Sequence, residues 1–196
     1  NYYSAAPERL FGRQIPVAGG IDVTFHEPLG VVGVIVPWNF PVNLSLLPLT
    51  YIFAAGNRAM VKTSEFTPRT AAVFAEACPK YFAVDELAFF EGGPEVGKAF
   101  AGLPFDHLLF TGSASTGRAV MAAAARNLCP VTLELGGKSP QVVFADADID
   151  AALPFLVNAG IQNAGQTCSA ASRILVELSR FDEVVAAMAE RYRRLS

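Results

Sequence analysis

The chain has 196 residues, of which 52% are hydrophobic and 17% are charged. This composition excludes an intrinsically disordered protein, and the length allows one large domain or one domain with part of a second. The chain has 15 Lys and Arg residues and 18 acidic residues, so its net charge is −3. It therefore lacks the excess of basic residues that binds the phosphate backbone of a nucleic acid. We therefore expect no nucleic-acid partner.

The cysteines, the histidines and one long apolar stretch set further limits. Cys78, Cys129 and Cys168 form no CxxC pair, and their odd number favours reduced thiols in a cytoplasmic protein over a disulfide scaffold. With only two histidines, far apart in the sequence, we expect no metal site. Residues 28–57 carry no charge, but prolines and asparagines interrupt them. We interpret them as buried strand, loop and helix rather than a membrane-spanning segment.

The predicted elements begin with a hairpin arm in residues 1–27, where residues 21–25 alternate in polarity after Gly19-Gly20. Val31–Val36 is a continuous apolar run, typical of a strand buried on both faces in a parallel sheet. Helices at about 42–55, 67–78, 94–102 and 113–127 then alternate with strands at 58–62, 87–91, 107–111 and 131–135. This alternation predicts an α/β fold with a Rossmann-like, doubly wound parallel sheet.

A second set of elements follows Gly136-Gly137. It consists of strands at 141–144 and 173–177 and helices at about 148–163 and 180–194. Two strands do not build a compact sheet, so we interpret this set as the beginning of a second α/β domain. The predicted domain limits are therefore 1–27, 28–136 and 137–196.

Two glycine-containing segments are candidates for phosphate binding. Gly92–Lys98 fits the P-loop pattern GxxxxGK, but Ala99 replaces its metal-binding Ser or Thr and Pro94 removes a backbone N–H. Phe110–Gly117 follows a strand and opens a helix, so backbone N–H groups and hydroxyls are available for a pyrophosphate. The alternative for this second segment is an N-cap that binds nothing.

Two side chains are candidates for covalent and acid–base chemistry. Cys168 lies in the loop Gly165–Ser169 between a helix and a strand, where backbone donors can stabilise its thiolate. Glu134 is predicted to point away from the apolar face of its strand, near the carboxyl end, where partial burial would suit a general base. A buried, inert thiol and an exposed strand-end carboxylate are the respective alternatives.

Five motifs occur together in an order and spacing that are highly specific. They are PWNFP (37–41), KTSE (62–65), FTGS (110–113), LELGGKSP (133–140) and GQTC (165–168). From about residue 20 onwards the chain strongly resembles the aldehyde dehydrogenase superfamily. The segment LPFDH (103–107) is similar to the branch that includes the class 3 and coniferyl aldehyde dehydrogenases.

The resemblance implies NAD-dependent oxidation of a small-molecule aldehyde to a carboxylic acid. Cys168 would attack the aldehyde to form a thiohemiacetal, whose oxyanion the Asn39 amide and the Cys168 backbone N–H would stabilise. Hydride transfer to NAD would leave a thioester. Glu134 would then activate the water that hydrolyses this thioester.

The resemblance also implies a cofactor site. Pro37 and Trp38 would lie beside the adenosine, and Lys62 and Glu65 would bind its ribose hydroxyls. Ser113 would contact the pyrophosphate, and Gly93 and Gly97 would lie beside the adenine. The remaining cofactor residues would be Thr111, Gly112 and Leu135. Because Glu65 would repel a 2′-phosphate, NAD is expected in preference to NADP.

Family members are more than twice as long as this chain, which also begins without Met. We therefore expect a fragment, with an NAD-binding domain over 28–136 and an incomplete catalytic domain over 137–196. The parent is expected to be a cytoplasmic homodimer or homotetramer, and the isolated fragment to be inactive. The alternative is a truncated nucleotide-binding module without turnover.

Overall fold

The structure, a computed structural model, describes residues 14–23 and 26–195. The boundary between two compact units falls between Glu134 and Leu135. The first described element is an antiparallel hairpin of β1 (Gln14–Val17) and β2 (Gly20–Val23), with Gly19 at a positive φ of 92° in the turn. The strand predicted over 21–25 is confirmed at 21–23; its last two residues lie outside the described residues, as do 1–13.

A five-stranded sheet forms the centre of the first unit. Its strands are β3 (Val31–Ile35), β4 (Arg58–Lys62), β5 (Leu87–Phe90), β6 (His107–Gly112) and β7 (Val131–Leu135), in the order β5-β4-β3-β6-β7. The helices α1 (Asn43–Ala54), α2 (Pro68–Ala77), α3 (Pro94–Ala101) and α4 (Ala114–Ala124) connect successive strands. β3 pairs in parallel with both β4 and β6. The predicted doubly wound parallel sheet is confirmed.

The central strand β3 separates two apolar cores. Val32 and Val34 are buried in one core, together with Val61 of β4 and Leu49 of α1. Gly33 lies between these valines in β3, and a Cβ built on it would lie 2.6 Å from the ring of Phe105, which belongs to the other core. The continuous apolar run is therefore buried on both faces, as predicted.

The helix predicted over 113–127 is shorter in the structure. α4 ends at Ala124, and a 3₁₀ turn follows over Ala125–Asn127. Leu128 closes this turn with a left-handed φ of 55°, and its N–H donates to the carbonyl of Ala125 at 3.1 Å. The helical hydrogen-bond pattern tightens before the chain turns back towards β7.

The second unit contains β8 (Pro140–Val143), α5 (Ile149–Ile161), β9 (Arg173–Val176) and α6 (Phe181–Arg193). β8 and β9 pair in parallel, and Val143, Ile149, Leu156 and Val184 form the buried core beside them. The two strands and two helices predicted after Gly136-Gly137 are present, and the start of a second α/β domain here stays a prediction. Among the helices of residues 14–23 and 26–195, none is long and apolar enough to cross a bilayer.

Candidate active site

The strand order creates a topological switch point. From β3 the chain proceeds to β4 and β5 on one side of the sheet, and it then returns to β6 on the other side of β3. Ligands of open α/β sheets bind beside the carboxyl ends of the strands at such a point. Asn39 follows the carboxyl end of β3, and Ser113 follows that of β6.

The loop after β3 is connected to the neighbouring strand and to α1. The Val36 N–H donates to the carbonyl of Lys62 at 3.0 Å, so β3–β4 pairing extends to the residue before Pro37. Beyond the loop, the Ser45 hydroxyl donates to the carbonyl of Pro41 at 2.7 Å. Pro37 and Asn39 are half-buried and Trp38 is exposed, in the loop that follows the carboxyl end of β3.

Lys62 and Glu65 form a polar pair after β4. Lys62 is 3% exposed, and its Nζ donates to the carbonyl of Thr63 at 2.6 Å and lies 3.9 Å from a carboxylate oxygen of Glu65. Burial lowers the pKa of Lys62, and the Glu65 carboxylate acts in the opposite direction. The pair presents an acceptor beside a fixed donor, which is the arrangement that recognises a vicinal diol.

A tight turn follows this pair and fixes its neighbours. The Thr67 N–H donates to the carbonyl of Ser64 at 3.2 Å, so Glu65 and Phe66 occupy the two central positions of a β-turn. The Phe66 N–H also donates to Ser64 Oγ at 3.3 Å, and Phe66 is 74% exposed. Sequence analysis did not single out Phe66; an aromatic residue directly after the acidic residue of KTSE is the signal that could have done so.

The α4 N-terminus is capped by Ser113. Its Oγ accepts the Thr116 N–H at 3.2 Å, donates to Thr116 Oγ1 at 2.9 Å, and lies 3.0 Å from Ser115 Oγ. The N-cap is therefore present, and Thr111 and Gly112 precede it at the end of β6. First-turn N–H groups have no partners within a helix, and with these hydroxyls they form a surface suited to an anion.

Gly92–Lys98 is not a P-loop in the structure. α3 begins at Pro94, so most of the motif is helix rather than a loop that surrounds a phosphate, and Lys98 pairs with Glu95 at 2.7 Å. Gly93 and Gly97 lie one helical turn apart, and a Cβ built on either would meet nothing within 4 Å. The packing of the protein does not demand glycine at these two positions, and the open space beside them leaves room for close approach of a ligand.

Cys168 is the exposed thiol of the three cysteines. Cys78 and Cys129 are buried; burial raises the pKa of both, and the Asp106 carboxylate adds to the increase at Cys129. Cys78 belongs to the apolar core on one face of the sheet, and Cys129 belongs to the core on the other face. The exposure of Cys168 makes it the cysteine accessible to a reagent or a substrate.

The loop that carries Cys168 is constrained within the second unit. Asn163, Ala164 and Gly165 all have positive φ, and the Thr167 hydroxyl donates to the carbonyl of Gln162 at 3.1 Å. The Gly137 N–H donates to the carbonyl of Cys168 at 3.4 Å. The hydrogen bond of Thr167 to Gln162 and that of Gly137 to the Cys168 carbonyl therefore fix the backbone around Cys168.

Glu134 lies on the exposed face of β7 with Thr132, opposite half-buried Val131 and Leu133, as the alternation predicted. Thr132 Oγ1 lies 2.8 Å from Nε2 of His107 on β6. Two details differ from expectation. Glu134 is exposed rather than partly buried, and Leu135, which the alternation along β7 puts on the same face as Val131 and Leu133, is 38% exposed because it begins the segment that leaves the sheet.

The first unit thus brings most of the predicted cofactor residues to one edge of one sheet. They are Pro37, Trp38, Lys62, Glu65, Gly93, Gly97, Thr111, Gly112 and Ser113, together with the predicted oxyanion donor Asn39. Leu135 and Cys168 belong to the second unit. The meeting of Cys168 with Asn39 and Glu134 stays a prediction. Within the described ranges, no cluster of three or more His, Cys, Asp or Glu side chains could hold a metal ion.

Comparison with known proteins decides the family. The model of the aldehyde dehydrogenase family matches residues 1–196. The chain belongs to the aldehyde dehydrogenase family. It is 51% identical over 160 residues to the coniferyl aldehyde dehydrogenase of Pseudomonas sp. (strain HR199 / DSM 7063), covering 82% of this chain and 33% of that protein. It is 46% identical over 159 residues to aldehyde dehydrogenase family 3 member A2 of Rattus norvegicus, covering 81% and 33%.

Solved structures agree with this assignment. The Mycobacterium tuberculosis aldehyde dehydrogenase complexed with NAD+ superposes with a TM-score of 0.89 at 38% identity, covering all of this chain and 41% of that one. The chain spans about a third of the length of the curated relatives it matches. It is therefore a fragment of the family's full length, and the predicted likeness to the class 3 and coniferyl branch is confirmed.

Proposed function

We propose that the full-length protein containing these residues oxidises an aldehyde to a carboxylic acid with NAD, through a covalent intermediate on Cys168. The observation that carries the proposal is the exposure of Cys168 in a chain of the aldehyde dehydrogenase family. The cofactor accepts the hydride when it is bound. The Lys62–Glu65 pair, the Ser113 cap and the open faces of Gly93 and Gly97 fit a dinucleotide.

The chemistry begins with attack of the Cys168 thiolate on the carbonyl carbon. A C–S bond forms and the carbonyl π pair moves to oxygen, producing a thiohemiacetal oxyanion. The Asn39 side-chain amide and the Cys168 backbone N–H donate to this oxyanion, whose charge is absent from the free aldehyde. Loss of hydride from the same carbon converts the adduct into a thioester.

Hydrolysis of the thioester is assigned to Glu134. Its carboxylate takes a proton from a water molecule as the water attacks the acyl carbon, and the C–S bond then breaks to release the carboxylic acid and the thiolate. General-base assistance of this kind contributes about 10²–10⁴-fold. The exposed position of Glu134 on β7 leaves room for that water.

NAD is proposed over NADP, with Pro37 and Trp38 beside the adenosine and Thr111, Gly112 and Leu135 as further contacts. Glu65 accepts from the ribose hydroxyls and repels a 2′-phosphate. The substrate is a small-molecule aldehyde, and coniferaldehyde is the first to assay because the Pseudomonas relative is a coniferyl aldehyde dehydrogenase.

Domain limits, assembly and compartment complete the proposal. We assign a hairpin arm to 1–27, the NAD-binding domain to 28–136 and the start of the catalytic domain to 137–196. The limit between the last two lies close to the boundary of the two compact units.

A homodimer or homotetramer is supported by the exposed apolar side chains of Ile15, Val17, Ile21 and Val23 on the hairpin. Three free thiols support a cytoplasmic location.

Variants of the full-length protein test the proposal. We expect Cys168→Ala to abolish NADH production from an aldehyde while NAD still binds, and Cys78→Ala to keep turnover within a few fold. Glu134→Gln is expected to retain a stoichiometric burst of NADH and to accumulate the acyl-enzyme, detectable by intact mass. Equal loss of turnover in both cysteine variants, with folding intact, contradicts the assignment of Cys168.

A second function applies to the 196 residues by themselves, namely nucleotide binding without turnover. Except for Leu135, the proposed cofactor residues lie in the first unit, which contains a complete five-stranded sheet. Cys168 lies in the second unit, which contains only a two-stranded sheet. This distribution favours cofactor binding over turnover by these 196 residues. A binding module would bind ADP-ribose and form no NADH from an aldehyde. NADH formation by this chain, with full-length contamination excluded by mass spectrometry, would rule it out.

A further inference from the structure

The turn after β4 presents two side chains of different chemistry at one point. Glu65 and Phe66 occupy the central positions of the Ser64–Thr67 turn, and both residues are exposed. Glu65 supplies a carboxylate, and Phe66 supplies an aromatic ring that is 74% exposed. The carboxyl edge of the sheet therefore carries an acceptor and a flat apolar surface on consecutive residues.

This turn is rigidly attached to the sheet. The Thr63 N–H and hydroxyl both donate to the carbonyl of Phe90 at 3.1 Å, which joins the turn to the end of β5. Ser64 is buried, and its carbonyl accepts from the Thr67 N–H at 3.2 Å and the Thr67 hydroxyl at 3.3 Å. The backbone that carries Phe66 is thus fixed to the sheet by its neighbours Thr63, Ser64 and Thr67.

We propose that Phe66 contacts the adenosine of the cofactor, its ring packing against the flat face of the nucleoside whose ribose hydroxyls bind Glu65. This inference rests on the proposed function. An adenosine offers a vicinal diol and an aromatic base on one rigid unit, and the Glu65–Phe66 turn offers a partner for each. Packing of a base against an aromatic side chain also recovers apolar surface that Phe66 otherwise exposes to water.

Phe66 differs from Tyr81, another exposed aromatic residue, in its position relative to the sheet. Tyr81 is 79% exposed, and it follows the C-terminal end of α2. Because a crossover helix runs antiparallel to the strands, that end lies at the amino edge of the sheet, away from the switch point. Tyr81→Ala is therefore a matched control for removal of an exposed ring.

Binding of ADP-ribose to the full-length protein, measured by calorimetry, tests the role of Phe66. Stacking of a base on an aromatic ring is worth about 1–3 kcal/mol by alanine substitution, so Phe66→Ala should weaken ADP-ribose binding by about fivefold or more. Phe66→Tyr, which retains the ring, and Tyr81→Ala should both remain within about twofold of the parent. Nicotinamide mononucleotide, which lacks adenosine, should bind the parent and Phe66→Ala equally.

The outcomes separate this inference from the proposed function. If the parent binds ADP-ribose and Phe66→Ala binds it equally well, the role of Phe66 is wrong and the proposed function stands. If the parent does not bind ADP-ribose at all, the proposed function is wrong, and the role of Phe66 is wrong with it. Thermal unfolding of each variant, monitored by circular dichroism, excludes misfolding as the cause of weaker binding.

Discussion

Lys62 Nζ lies 3.9 Å from a carboxylate oxygen of Glu65, three residues further along the chain, and the lysine is buried while the glutamate is partly exposed. The lysine therefore has a fixed position, set also by its hydrogen bond to the carbonyl of Thr63. Glu65 faces solvent at the carboxyl edge of the sheet. A ligand reaching this edge meets the carboxylate first, with the ammonium behind it.

The proposed function assigns the preference for NAD over NADP to Glu65. We expect Glu65→Gln to narrow the ratio of kcat/KM for NAD over NADP, because the amide no longer repels a 2′-phosphate and accepts ribose hydroxyls less strongly. Steady-state kinetics of the full-length protein with both cofactors measures the ratio. Glu76→Gln, which removes an exposed carboxylate of α2 that pairs with Lys80, is the control. An unchanged ratio in Glu65→Gln would assign ribose recognition to other residues.

Burial of Lys62 predicts a pH dependence of stability. Burial lowers the pKa of Lys62 in the folded chain, so between that lowered value and the ordinary pKa of about 10.4 the unfolded chain binds more protons. The free energy of unfolding should therefore rise with pH in this window, relative to a variant without the group. Urea unfolding from pH 7 to 10.5 measures the difference in the free energy of unfolding between the unsubstituted protein and Lys62→Met. A difference that falls with pH would contradict a lowered pKa.

The elements of the sheet could be predicted because their signals are local. Val31–Val36 is apolar throughout, and the helix between β3 and β4 was placed within one residue at each end. The exposed face of Glu134 also followed from alternation along β7. These features depend on periodicity, which the sequence carries directly.

Other features depend on contacts that no short pattern reveals. Ala164 adopts a left-handed φ of 55°, a conformation that alanine rarely takes, because the loop before Cys168 folds back on α5. The attachment of the Ser64–Thr67 turn to the sheet depends on hydrogen bonds from Thr63 to the carbonyl of Phe90 at the end of β5. The open space beside Gly97 likewise depends on packing around α3. Tertiary structure decides each of these.

The three cysteines should differ in reactivity. We expect iodoacetamide to modify Cys168 first at pH 7.5, because it is exposed, whereas burial excludes the reagent from Cys78 and Cys129 and raises the pKa of both thiols. Peptide mass spectrometry after timed labelling measures each rate. Labelling in urea is the control in which all three react. Labelling of Cys78 or Cys129 as fast as Cys168 would show that the cores open readily.

Gly97 lies inside α3, where glycine is unfavourable, and an added Cβ would meet no protein atom within 4 Å. Substitution by alanine should therefore stabilise the helix. We expect Gly97→Ala to raise the free energy of unfolding by about 0.5–1 kcal/mol, an increase in Tm of about 2 °C. Ala99→Gly, an exposed position in the same helix, should change stability by a similar amount in the opposite direction.

The same substitution should weaken cofactor binding, because the open face of Gly97 is the surface proposed to receive the adenine. A methyl group inserted into a close contact costs about 1–3 kcal/mol, so ADP-ribose affinity should fall by about fivefold or more in Gly97→Ala. Ala99→Gly should bind ADP-ribose as the parent does, since its side chain lies on solvent-exposed surface. Calorimetry and thermal unfolding on the same preparations measure both quantities. A variant that is more stable and binds equally well would show that no ligand approaches this face of α3.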